Sequence, residues 1–108
     1  MFTNLKLKKI DKELYQLKEP LQYGSHIVPI GYRTNLASIP PLLTKWFKKT
    51  DRRWIKSSIV HDYLYECSDF SRLKCDWIFL KALKDENSGF FIRWSMYILV
   101  RIFGGFYK

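Results

Sequence analysis

Three residues combine the types and the spacing that acid–base chemistry requires: His61, Asp62 and Asp76. Leu73, Asp76, Leu80 and Leu83 recur at three- and four-residue intervals, so a helix through them sets a carboxylate inside an apolar stripe. A carboxylate buried there without a partner is costly, and the fold must supply a hydrogen-bond donor or a cation. The preceding helical stretch carries His61, with Val60 and Leu64 on the side expected to face its neighbour. A hydrogen bond between Asp76 and His61 is the least costly solution. A carboxylate that holds one imidazole nitrogen fixes the tautomer and leaves the other nitrogen to take a proton from water or a nucleophile. Asp62 points about 100° round the helix from His61 and suits a hard cation beside the base. The trio fits metal-assisted hydrolysis. The same pair satisfying itself in a core would do no chemistry, and spacing alone leaves both readings open.

Other side chains offer less. Ser38 and Ser58 lack the strained G-x-S-x-G turn of a serine nucleophile and read as loop or cap residues. Cys67 and Cys75 are too far apart for a CxxC pair and too few for a disulfide framework, so reduced, buried thiols are expected. His26, in Gly24-Ser25-His26, reads as an exposed hairpin residue. Zinc would need more His and Cys ligands than one site here can collect.

The elements that must position the trio follow from periodicity. Leu5 and Leu7 alternate with lysines, Glu13 to Leu17 repeats that alternation before Pro20, and Ile27 to Tyr32 reads as a further strand, with Pro29 excluding it from a sheet centre. Asn35 to Pro41 is a connecting loop. From Leu42 the pattern turns helical: Ser57 or Ser58 caps a helix to about Cys67, Ser68 to Phe70 is a turn, and Ser71 caps a second helix to about Lys84. The short turn makes these two antiparallel neighbours. Phe90 to Phe103 forms a third helix after Asn87-Ser88-Gly89, stopped by Gly104-Gly105. The chain is thus expected to be one α+β domain over residues 1–108, with short antiparallel strands and a loop in 1–41 and helices in 42–108.

The third helix is strongly apolar, but its run rises only about 21 Å against the roughly 30 Å of bilayer hydrocarbon. Arg93, Tyr97 and Arg101 form one polar stripe on it, which suits a helix packed mostly into the core in preference to a membrane surface. With 47% hydrophobic residues the chain can bury a core, and 19 basic against 10 acidic residues give a net charge of +9. That balance favours an anionic partner: a lipid surface, a virion component or a host nucleic-acid complex. Much of it lies in Lys45, Lys48, Lys49, Arg52, Arg53 and Lys56, interleaved with Trp46, Phe47 and Trp54. A solvated face with aromatic stems turned inward accounts for that stretch without a nucleic-acid motif. MFTNLKLKKI contains no secretion signal.

Taken together, ELYQLKEPLQY, VPIGYRTNLASIPP, IVHDYLYECSDFSRLKCDWIFLKAL and MYILVRIFG resemble a family of small bacteriophage and prophage proteins of unknown function. Its pattern is VPxGFxTDLASIPR, an HDxLY helix, an alanine-aspartate pair followed by a phenylalanine, and a closing aVRlfG helix. Here Asn35 stands where the family has aspartate and Pro41 where it has arginine. The half from His61 to Phe79 is also similar to phospholipase A2, with its HDxCY helix and following aspartate. That resemblance implies His61 as the base activating water, Asp76 as its orienting carboxylate, Tyr65 as the hydroxyl bonded to that carboxylate and Asp62 as a calcium ligand. The glycine-rich calcium loop is not recognisable. Asn35, whose amide oxygen can coordinate calcium, and the backbone of Gly31 to Ile39 would complete the site.

Three functions are therefore expected to compete: calcium-dependent ester or lipid hydrolysis, a non-catalytic virion or tail component, and a basic phage inhibitor of a host nucleic-acid or defence complex. The host cytoplasm or the virion is the expected location.

Overall fold

Alternating leucines and lysines build the first hairpin of the computed structural model, which describes residues 2–12, 14–36, 45, 48 and 50–103. Strand β1 (Leu7–Asp11) pairs antiparallel with β2 (Leu14–Leu17), setting Leu7 opposite Leu17 and Lys9 opposite Tyr15, and the register shifts between Lys9 and Asp11. β2 pairs on its other edge with the short strand β5 (Arg33–Thr34), Tyr15 facing Thr34, so the sheet order is β1-β2-β5. A separate antiparallel pair, β3 (Leu21–Tyr23) and β4 (His26–Val28), turns through Gly24-Ser25. Gly24 has φ +57°, the left-handed value that the first position of such a turn favours. The strand expected from Ile27 to Tyr32 stops at Val28: Pro29 has no N–H to continue the ladder, and Gly31 sits at φ +88°.

Three helices follow: α1 (Ile55–Cys67), α2 (Arg72–Asp85) and α3 (Phe90–Phe103). The expected α+β layout, short antiparallel strands and then three helices, is present. α1 packs against β3, β4 and α2, while α3 packs on α2. The core is continuous across the layers, from Leu17, Leu21, Val28 and Leu36 through Trp54, Ile59 and Val60 to Phe79, Leu83, Met96 and Val100. The helical start expected at Leu42 falls largely outside the described residues.

The helix ends explain the arrangement. Ser71 caps α2 as expected, accepting from the Lys74 N–H at 3.2 Å. α1 starts earlier than expected, at Ile55, and neither Ser57 nor Ser58 caps it. Its cap comes from a distant side chain: the Glu86 carboxylate accepts from the Lys56 N–H at 2.9 Å, and from the Ser57 N–H at 2.7 Å and hydroxyl at 2.6 Å. α2 closes in a Schellman motif, with Asn87 at φ 65°, its N–H donated to the Lys84 carbonyl and the Ser88 N–H to Leu83. That closure brings Glu86 to the N-terminus of α1, where the helix dipole favours a negative charge.

Two packing expectations are corrected. Leu73, assigned to the buried stripe of α2, is 56% exposed, and the inward face is Cys75, Asp76, Ile78, Phe79, Leu80, Ala82 and Leu83. α3 is less buried than the expected core helix. Met96 and Val100 are buried, but Phe90, Phe91, Trp94, Ile98 and Ile102 face outward. Of its polar stripe, Arg101 reaches α2, where its Nη1 meets the Asp76 carboxylate at 2.9 Å.

Candidate active site

The short connection between α1 and α2 brings His61 and Asp76 together across the two helices. Nε2 of His61 lies 2.7 Å from Oδ1 of Asp76, with the imidazole 2% exposed and the carboxylate 0%. The Tyr65 hydroxyl, one helical turn beyond His61, donates to the same oxygen at 2.5 Å. Arg101 of α3 donates from Nη1 to Oδ2 at 2.9 Å. One carboxylate therefore receives donors from α1 and α3 while itself standing on α2. The His61 ring stacks on Phe79 with centroids 4.4 Å apart and meets the Tyr65 ring at 4.2 Å.

Charge follows from these contacts. Burial pushes the Asp76 carboxyl up, but the hydrogen bonds from His61, Tyr65 and Arg101 outweigh it and hold the group below the usual carboxylate range. An ionised carboxylate only accepts, so Nε2 of His61 carries the proton in this bond. Burial, reinforced by the bond to Asp76, raises the Tyr65 hydroxyl, which stays a neutral donor at ordinary pH.

Asp62 is held separately. Its Oδ2 accepts from the Thr34 hydroxyl at 2.5 Å, and the same Oγ1 accepts from the Leu36 N–H at 3.0 Å. The register of β5 on β2 thus fixes the carboxylate, and Leu36 is fully buried at φ 58°, an unfavourable left-handed position for leucine. Asn35, between them in sequence, is exposed. Asp62 and Asn35 are hard oxygen donors of the type calcium prefers. They are only two of the six to eight oxygens it takes, so backbone carbonyls and water would have to complete a shell. Among the described residues no group of three or more His, Cys, Asp or Glu side chains could hold a metal ion.

Arg101 and Thr34 are the members of this constellation that sequence reasoning did not assign. The signal for Arg101 was its place in the α3 polar stripe, which pointed to a polar neighbour; Thr34 was marked only as the threonine of the VPxGFxTDLASIPR pattern. Tyr32 adds a buried hydroxyl near the Asp62 and Glu66 carboxylates. Burial, and after it the nearby Asp62 and Glu66 carboxylates, push that hydroxyl well up.

The weaker candidates fall away from the site. Ser58 is buried within α1, and Ser38 lies outside the described residues. Cys75 is buried as expected, whereas Cys67 is exposed at the end of α1. His26 is half-buried in β4, edge-on to Phe70 at 5.9 Å, and not in an exposed turn. In the basic stretch, Arg53 is forked onto Asp51 at 2.9 and 3.0 Å, Lys56 Nζ donates to the Thr3 carbonyl at 3.0 Å, and Trp54 is fully buried. Lys45, Lys48 and Arg52 are exposed, whereas Trp46, Phe47 and Lys49 lie outside the described residues.

Residues 13–100 match the sequence pattern of a family described as "Protein of unknown function (DUF1353)". The chain belongs to that family. The matched span contains Thr34, Asn35, His61, Asp62, Tyr65 and Asp76 and ends one residue before Arg101. No curated protein and no solved structure matches the chain.

Proposed function

We propose that this member of the family is a small phage-encoded hydrolase that cleaves an ester, with a lipid as the substrate class, through the His61–Asp76 pair. The observation that carries the reading is the ionised Asp76 carboxylate bonded to Nε2 of His61, because that contact sets the tautomer a general base needs. The similarity of the His61 to Phe79 segment to phospholipase A2 supports the same assignment of roles.

In this mechanism Nδ1 of His61 takes a proton from a water molecule as the water oxygen adds to the ester carbonyl carbon. Asp76 stabilises the imidazolium that forms, while Tyr65 and Arg101 keep that carboxylate ionised and in place. Collapse of the tetrahedral adduct expels the alcohol oxygen, which takes the proton back from the ring. Asp62 and Asn35 are the side chains that would hold calcium, which when bound supplies a Lewis acid for the developing oxyanion.

A second reading, a non-catalytic virion or tail component, is favoured by one observation. Asp76 ties three helices together and both it and His61 are enclosed, as in a purely structural pair. The two readings separate on purified protein. The hydrolase releases fatty acid from phospholipid vesicles in calcium and stops when calcium is chelated. Absence of release with or without calcium, together with stoichiometric protein in purified virions, selects the structural role.

A further inference from the structure

The outward face of α3 is a feature that the proposed site does not use. Phe91 is 83% exposed, Phe90 63%, Ile102 61% and Ile98 51%, with Trp94 between them. The spacing 91, 94, 98, 102 places these side chains on one stripe of the helix. Trp77 and Leu73 of α2, also exposed, extend the apolar surface: Trp77 meets Tyr97 edge-on at 6.4 Å, and Tyr97 meets Trp94 at 5.8 Å. Single exposed hydrophobes are ordinary, but a contiguous aromatic and aliphatic face marks a contact surface.

Charge decides what that surface contacts. No acidic side chain follows Glu86 in the chain, while Arg93 and Lys108 do along with Arg101, which is already paired with Asp76, and the whole chain carries +9. The outward side of α2 adds Lys74, Lys81 and Lys84, all exposed. A second copy docking here would set one basic face against another. An anionic lipid surface instead offers acyl chains to the aromatic stripe and phosphate to the flanking cations, and needs no matching shape. No described helix is long and apolar enough to cross a membrane, so α3 would lie in the plane of the interface.

We infer that the Phe91–Trp94–Ile98–Ile102 face of α3 is a docking surface for anionic membranes, seating the helix parallel to the bilayer with its apolar stripe below the headgroups. The inference rests on exposure and charge and stands whether or not His61 performs catalysis.

Co-sedimentation with phosphatidylglycerol vesicles, compared with phosphatidylcholine vesicles, tests it. The full chain binds the anionic vesicles, binds the zwitterionic ones at least about tenfold more weakly, and is released by high salt. Phe91→Ser combined with Ile98→Ser lowers binding by about tenfold or more with an unchanged circular dichroism spectrum. Ile30→Ser, which removes an equally exposed side chain from the strand side, leaves binding unchanged. His61→Gln binds as the unaltered chain does, and the α3 double variant retains any cleavage of a dispersed short-chain ester, so failure of docking is distinguishable from failure of catalysis. The inference is overturned if the chain ignores anionic vesicles, or if the double variant binds them undiminished. A concentration-dependent dimer that the double variant dissociates, with no vesicle binding, also overturns it and assigns the face to self-association.

Discussion

Asp76 is the residue on which the site turns, because an acid with no solvent exposure survives only by its donors. Replacing it with Asn leaves Arg101 and Tyr65 facing a neutral amide that also presents its own donors. Loss of one partner from a buried charged pair costs about 3–5 kcal/mol, and chemical denaturation of Asp76→Asn should show a loss in that range. Tyr65→Phe removes a single donor and should cost less, about 1–2 kcal/mol by the same measurement. The pH dependence has a definite sign. A carboxyl held below its ordinary value in the fold stabilises the protein fully above the unfolded value near 4, and that contribution is lost as pH falls through the folded value. The stability difference between the unaltered chain and Asp76→Asn should therefore shrink below about pH 4. His61 and Asp76 were legible in sequence because a short turn joins two helices and the acid interrupts an apolar stripe. The Thr34 contact to Asp62 was not, since it depends on strand register 28 residues away.

At the scale of elements, the capping of α1 by Glu86 is the least legible feature and one of the most consequential. Ser57 and Ser58 had the residue type of caps, yet both are buried one turn into the helix, and the acceptor comes from 30 residues downstream. Local sequence cannot reveal that, because it requires α2 to close at Asn87 and return to the start of α1. Glu86→Ala should strip the Lys56 and Ser57 amides of their acceptor and lower stability by about 1–2 kcal/mol, with faster amide hydrogen exchange at the N-terminus of α1 and little change in α3. The exposed apolar stripe of α3 was likewise not legible. Its polar stripe was visible, but a stripe alone does not tell which side meets the protein. Only the packing of α3 on α2 shows Arg101 reaching the buried Asp76 carboxylate while Phe90 and Phe91 face outward.

For the whole molecule, the strand-then-helix order was readable from the change of periodicity, while the division of the strands into two small sheets was not, because β5 is only 2 residues long. The net charge of +9 acts on the entire fold as self-repulsion. Moderate sodium chloride should screen it and raise the thermal midpoint by a few degrees, the opposite of what a fold dominated by surface ion pairs would show. Among described residues the Arg53–Asp51 pair is exposed enough to be weakened by salt, and such pairs contribute little.

The central claim is that the His61–Asp76 pair performs chemistry and does more than hold helices together. Its most direct measurement is ester cleavage by His61→Gln beside the unaltered chain, with the unfolding free energy of both determined on the same preparations. The account predicts that cleavage falls by at least about a hundredfold while the protein remains folded. Equal cleavage by a folded His61→Gln protein would contradict it.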